Sequence, residues 1–213
     1  MGCLALILPL LIALPIIFLL IFLNVITISF GKLGLSPEAA LVLLMSTLIG
    51  GMINIPLSHR RISYEQPQPL YSRFLFYLPP RVTHQVIAVN VGGAVVPVGF
   101  ALYLLPRAPL VPALLTTLTV TAVSRLLARL VPGVGIILPA WIPPLVSASL
   151  AFLLARENPS PVAYIAGTVG TLIGADLLNW TNFKRLGAHM ISIGGAGVFD
   201  GIFLAGVIAA LMA

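Results

Sequence analysis

Polar residues in this chain come in short clusters, and between them the apolar residues run on without a break. Predominantly apolar stretches of eighteen or more residues with few or no charges recur, and a helix needs about 20 such residues to cross a bilayer. The pattern predicts seven spans, roughly 4–28, 38–57, 84–105, 108–127, 134–155, 161–180 and 189–212. The runs are continuous rather than alternating, whereas a membrane β-barrel needs alternating segments of about 10 residues. Pro9, Pro15, Pro97, Pro112, Pro139, Pro143 and Pro144 fall within or beside the spans. Kinked or interrupted helices are therefore expected, which a membrane tolerates where neighbouring helices satisfy the freed backbone groups. The fifth span is the one most exposed to splitting, at Pro139 and Pro143-Pro144. The expected fold is all-α, a polytopic membrane protein with about seven transmembrane helices, some broken at Gly or Pro, forming one membrane domain over residues 1–213.

Composition excludes a soluble fold. Of the 213 residues, 60% are hydrophobic and 8% charged, against about 25% charged in soluble domains. So few polar residues cannot coat a soluble surface. The formal net charge is +6, but the basic residues form no run or stripe, so no nucleic-acid partner is indicated. They set topology instead. Arg60, Arg61, Arg73, Arg81, Arg125, Arg129, Lys184 and Arg185 fall on one side, and Lys32, Arg107 and Arg156 on the other. The positive-inside rule places the larger group in the cytoplasm, with the N-terminus inside the cell, in the cytoplasmic membrane. The second loop, about 58–83, adds Tyr64, Tyr71, Phe74, Phe76 and Tyr77 and is expected to lie along the interface. Membrane lipids are the first partner. Cys3 is the single cysteine, which excludes an internal disulfide and a cysteine-based zinc site. Leu6 breaks the myristoylation pattern after Gly2. The first run lacks a basic start and reads as a retained helix.

Two stretches echo each other. The second span holds 47-TLIGGMIN-54 and the sixth 171-TLIGADLLN-179. The third starts at His84 and reaches 92-GGAVVP-97, and the seventh starts at His189 and reaches 194-GGAGVFD-200. The order and direction agree, which is the pattern of a parallel 3+1+3 repeat with halves 1–106 and 134–213. Chance matching of small and apolar residues is the competing explanation. In the repeat, Met52 takes the place of Asp176, and Pro97 that of Asp200.

The two aspartates carry the candidate chemistry. Asp176 and Asp200 are the only Asp residues, while Glu38, Glu65 and Glu157 lie in or beside loops. An aspartate near mid-bilayer costs about 2.5–3.5 kcal/mol on insertion scales, so an idle role is disfavoured. The turn between spans six and seven, about 181–188, is short, which makes the two spans antiparallel neighbours. The depths of the two carboxylates differ by several ångströms at 1.5 Å per residue, and the glycines of 192-SIGGAG-197 can open the helix and absorb that difference. Two carboxylates brought together at low dielectric share one proton and present an acid and a base at once. One can activate a water while the other protonates the scissile carbonyl or amine. The expected cavity is lined by Gly174, Asn179, Gly194, Gly195, Gly197 and Gly201, completed from spans two and three by Asn54, Asn90, Gly92 and Gly93. Asn179, three residues after Asp176, is expected on the same helical face. No metal or cofactor is expected.

A Gly-x-Asp in one span and a Gly-rich Asp in the next, joined on the cytoplasmic side, resembles the intramembrane aspartyl proteases: presenilin, signal peptide peptidase and the prepilin peptidases. That group carries Gly-x-Gly-Asp, where this chain has Gly195-Ala196-Gly197-Val198-Phe199 before Asp200. The resemblance implies a transmembrane peptide substrate and Asp176 and Asp200 as the catalytic pair. The whole chain also resembles an uncharacterised prokaryotic family of small multi-pass membrane proteins, through 86-VIAVNVGGAVVPV-98, 170-GTLIGADLLN-179 and 195-GAGVFDGIFLAG-206.

Two rivals stay open. The same buried aspartates suit a small proton- or cation-coupled transporter or channel. A carrier of 213 residues is small, and a homo-oligomer would supply the missing size. A structural pair stapling two helices is the third, though such membrane hydrogen bonds average only about 0.6 kcal/mol. Other features point to simpler roles. His59, His84 and His189 sit at span ends as interfacial polar residues, and neither a His-Glu-x-x-His nor a Gly-x-Ser-x-Gly pattern occurs. Arg125 and Arg129 suit topology anchoring, or an anionic lipid head group. Trp141 and Trp180 suit the interface, and Gly167, Gly170 and Gly174 suit close helix packing.

Overall fold

The computed structural model describes residues 2–64, 81–131, 135–185, 190–195 and 201–212. The fold is mostly helical. In chain order it comprises α1 (Gly2–Lys32), α2 (Pro37–Gly51), β1 (Asn54–Tyr64), β2 (Arg81–Asn90), a π-turn (Val91–Val95) leading into α3 (Val96–Leu104), and α4 (Leu110–Leu127). There follow β3 (Arg129–Val131), β4 (Gly135–Ile137), α5 (Ile142–Leu154), α6 (Pro159–Ile165) with its continuation to Arg185, β5 (Met190–Ile193) and α7 (Gly201–Met212).

A helical segment stands in each of the seven expected spans. Among the described residues, three stretches are long and apolar enough to cross a membrane: Ala13–Lys32, Leu110–Leu127 and Pro159–Phe183. Their surroundings differ sharply. Of the most apolar window, 17% is buried in Ala13–Lys32 and 72% in Pro159–Phe183. The stretch Ala13–Lys32 therefore leaves most of its apolar surface exposed, and Pro159–Phe183 is the central helix of the bundle.

The central helix is not regular. After α6 it passes through two π-turns, Ala166–Gly170 and Leu172–Asp176, and then tightens into a 3-10 segment, Leu177–Arg185. Its glycines let α4 approach. A Cβ on Gly170 would lie 3.0 Å from the Thr117 carbonyl, and one on Gly174 would run into the Thr121 carbonyl. The glycine strip expected to serve packing does so at these two positions.

The all-α expectation needs correction. Strands occupy the end of the expected second span and the starts of the third, fifth and seventh. β1 pairs antiparallel with β2, from Asn54 opposite Asn90 to Tyr64 opposite Arg81, with a register shift between Pro56 and Ser58. β2 pairs parallel with β5, from Val86 opposite Met190 to Val89 opposite Ile193. The sheet order is β1-β2-β5, and β3 and β4 form a separate pair. Periodicity misses these strands because a short apolar run reads alike as buried strand or buried helix. The run 85-QVIAV-89 is rich in β-branched residues, which favour strands.

Local chemistry explains several boundaries. Ser36 caps α2, its Oγ accepting the Ala39 N–H at 3.3 Å, with Pro37 in the first turn. Pro143 and Pro144 do not split a helix. They sit in the first turn of α5, where a missing N–H is harmless. Pro9 and Pro15 lie inside α1, which continues past them.

Helix ends gather at the pole away from the sheets. Lys32 Nζ donates to the Leu211 carbonyl at 2.7 Å and Ser29 Oγ to the Val207 carbonyl at 2.8 Å, fastening α1 to α7. Arg107 Nη1 donates to the Leu33 carbonyl at 3.1 Å, and Asn158 Nδ2 to the Arg107 carbonyl at 2.8 Å. The core on this side packs Phe30, Leu44, Phe100, Leu104 and Tyr164.

Candidate functional site

Asp176 closes the second π-turn of the central helix. A π-turn inserts one residue into the helical repeat and re-aims the side chains around it, and such turns recur at functional sites. The carboxylate is half-buried, and its Oδ2 accepts the backbone N–H of Gly194 at 2.7 Å. Gly194 follows β5 and holds φ +73°, a left-handed conformation that favours glycine. Its bare Cα also lets the turn sit on the start of the helix after β2. A Cβ there would lie 2.9 Å from the Ala94 nitrogen and 2.9 Å from the Gly93 carbonyl carbon. Among the described residues, the expected seventh span holds the strand β5, the Gly194 turn and the helix α7 (Gly201–Met212).

The same end of the three-stranded sheet carries an amide network. Asn54 begins β1 and Asn90 ends β2, and they face each other across the ladder. Asn90 Oδ1 accepts the Gly93 N–H at 2.7 Å and so caps the π-turn, while its Nδ2 donates to the Gly51 carbonyl at 2.8 Å and to Asn54 Oδ1 at 3.2 Å. Ser192 of β5 also donates its hydroxyl to Asn54 Oδ1. Ala88, opposite both Pro56 and Ser192, leaves room for this contact over β2. On the other face, Ile87, Ile191 and Ile193 pack with Leu172, Ala94 and Phe183, and Gln85 Nε2 donates to the Phe183 carbonyl at 3.0 Å.

Glycine makes the approach of α2 possible. A Cβ on Gly92 would overlap the Thr47 carbonyl oxygen and the Gly51 nitrogen. Gly195 lies against Ser192 and Asn90, where a Cβ would come 3.2 Å from the Asn90 Cβ. Asn54, Asn90, Gly92, Gly93, Gly194, Gly195 and Asp176 are thus brought together at one end of the sheet.

Asn179 is placed differently. Its Nδ2 donates to the Ala175 carbonyl at 2.7 Å, and its Oδ1 accepts Arg125 Nη1 at 2.7 Å. The side chain is fully buried and serves α4, beside Gly174, rather than bonding to Asp176. The reason is the change from π to 3-10 geometry between 176 and 177, which breaks the regular i, i+3 alignment. Asp200, Gly197 and His189 lie outside the described residues, and Gly201 opens α7. Sequence reasoning missed Ser192 as a member of the network. Its signal was a lone polar residue inside the apolar strand 190-MISI-193.

A family model described as "Protein of unknown function (DUF1614)" matches residues 48–212. The match takes in the end of α2, both sheets, the central helix and α7. No curated protein and no solved structure matches the chain.

Proposed function

We propose that this chain, which belongs to the DUF1614 family, is an intramembrane aspartyl peptidase with Asp176 and Asp200 as its catalytic pair. The supporting observation is the Asp176–Gly194 hydrogen bond. It ties the central helix to the turn that leads, six residues on, to Asp200. The amide network at the same sheet end offers polar groups beside the carboxylate, as a chain unwound for cleavage requires. In the reaction, one carboxylate takes a proton from water as the water oxygen attacks the scissile carbonyl carbon. The other, protonated, gives its proton to the carbonyl oxygen. Proton transfer to the amide nitrogen then breaks the C–N bond and leaves an acid and an amine.

All seven helical segments are taken to cross the cytoplasmic membrane, with the N-terminus inside. That orientation puts both sheets at the cytoplasmic pole, since open sheet edges are not tolerated in hydrocarbon. Beside the sequence echoes, one likeness supports the proposed parallel repeat: β2 and β5 are parallel neighbours, and each is followed in the sequence by a Gly-Gly pair. Against it, Gly50 packs on Gly92 while its counterpart Gly174 packs on α4.

A carrier is the second reading, favoured by the buried hydroxyls of Thr116, Ser124 and Thr171, which have no hydrogen-bond partner among the described residues. Polar groups of this kind can line an ion path through a membrane.

The first test is proximity. With Cys3→Ser as background, Asp176→Cys and Asp200→Cys together should form a disulfide on mild oxidation, which requires Cα atoms about 4.4–6.8 Å apart. The second is chemistry. Asp176→Asn and Asp200→Asn should each abolish cleavage of single-span peptides by the reconstituted protein. Absence of the cross-link, or full cleavage by either variant, would end the peptidase reading. Proton flux lost in Asp176→Asn would then establish the carrier.

A further inference from the structure

We infer that Asn54 is a substrate-binding residue whose side-chain N–H groups take a backbone carbonyl oxygen of an extended peptide; the inference rests on the peptidase reading and deepens it. It follows from which atom of each amide must face which neighbour. The Gly93 N–H can only donate, so the Asn90 atom it meets at 2.7 Å is oxygen. The Gly51 carbonyl can only accept, so the Asn90 atom 2.8 Å from it is nitrogen. That nitrogen has one hydrogen left, and it points at Asn54 at 3.2 Å. The Asn54 atom there must be its oxygen. The Ser192 hydroxyl donates to the same oxygen, which fills both acceptor positions. The Asn54 amide is therefore locked from two sides with its nitrogen turned outward. Neither of its N–H groups is bonded among the described residues, and the side chain is only half-buried.

Two fixed donors on a locked amide are a preorganised site for one acceptor. Two hydrogen bonds and the two-residue step from Ser192 to Gly194 link Asn54 to the Asp176 carboxylate, a path on the order of 10 Å, the reach of about three extended residues. The acceptor is thus a peptide carbonyl about three residues from the bond that Asp176 acts on. A charged ligand is not required, since both partners are neutral.

Asn54→Asp is the diagnostic variant. It keeps the oxygen that receives Asn90 and Ser192, and replaces the outward donors with an acceptor. The probe is a Leu/Ala-rich single-span peptide with a central hydroxymethylene isostere, bound to the full chain in nanodiscs. Wild type should bind it, and Asn54→Asp should weaken binding by about ten-fold or more. If that variant melts early, Ser192→Ala keeps the site testable: it frees the amide to turn and should weaken binding about three-fold. Reducing the carbonyl three residues from the isostere should weaken binding to wild type but not to Asn54→Leu. Unchanged affinity in Asn54→Leu and Ser192→Ala, with Asp176→Asn impaired, overturns the inference and leaves the peptidase reading standing. No binding by wild type overturns both.

Discussion

The Oδ2 atom of Asp176 accepts the backbone N–H of Gly194 at 2.7 Å, so the one acidic side chain of the central helix holds the turn at the end of the sheet. The relationship fixes two things together: the direction of the carboxylate, and the point from which the chain departs toward Asp200.

Removing that acceptor should separate structure from chemistry. Asp176→Ala leaves the Gly194 N–H without its partner and should lower stability by about 1–3 kcal/mol. Asp176→Asn still offers an oxygen to Gly194 and should lose no more than about 1 kcal/mol. Reversible unfolding in mixed micelles measures both. Equal losses would mean that the hydrogen bond is not what holds the turn.

Gly194 should resist any side chain. Its φ of +73° costs a non-glycine residue about 1–3 kcal/mol, and a Cβ would meet the Gly93 carbonyl carbon at 2.9 Å. Gly194→Ala should therefore lower the melting temperature clearly. Gly99, inside α3, is the control, because a Cβ added there would meet nothing within 4 Å. Gly99→Ala should be neutral or stabilising by up to about 1 kcal/mol.

Arg125 and Asn179 should be energetically coupled. The Asn179 side chain is fully buried, and Arg125 Nη1 reaches its Oδ1 at 2.7 Å. Arg125→Met strands that oxygen and should cost about 1–3 kcal/mol. A double-mutant cycle with Asn179→Leu should return a coupling of about 0.5–3 kcal/mol. A coupling of zero would restore Arg125 to a simple topology anchor.

Sidedness is open to direct measurement. Glu157 and Arg129 are both exposed, and the proposed orientation puts them on opposite faces of the membrane. In a Cys3→Ser background, an impermeant maleimide applied to intact cells should label Glu157→Cys and spare Arg129→Cys. The reverse pattern would invert the topology.

The sequence by itself determined the solvent and the material of the fold. Long apolar stretches with 8% charged residues point to a membrane as surroundings, and a helical segment stands in each stretch the hydropathy pattern picked out, three of those described being long and apolar enough to cross a bilayer. It also singled out Asp176 and Asp200 as candidates, since an acidic residue inside such a run carries an insertion cost that needs a reason. The tertiary structure decided the rest. Whether 85-QVIAV-89 and 190-MISI-193 become helix or strand depends on a pairing partner about 100 residues away, which no local pattern encodes. Asn54, Asn90 and Ser192 come from three distant segments, and only their pairing in one sheet turns three ordinary polar residues into a locked network. Asn179 points to Arg125 rather than to Asp176 because the helix changes its winding between them. Long-range pairing and local changes of helical pitch are settled by packing, and packing is a property of the folded chain.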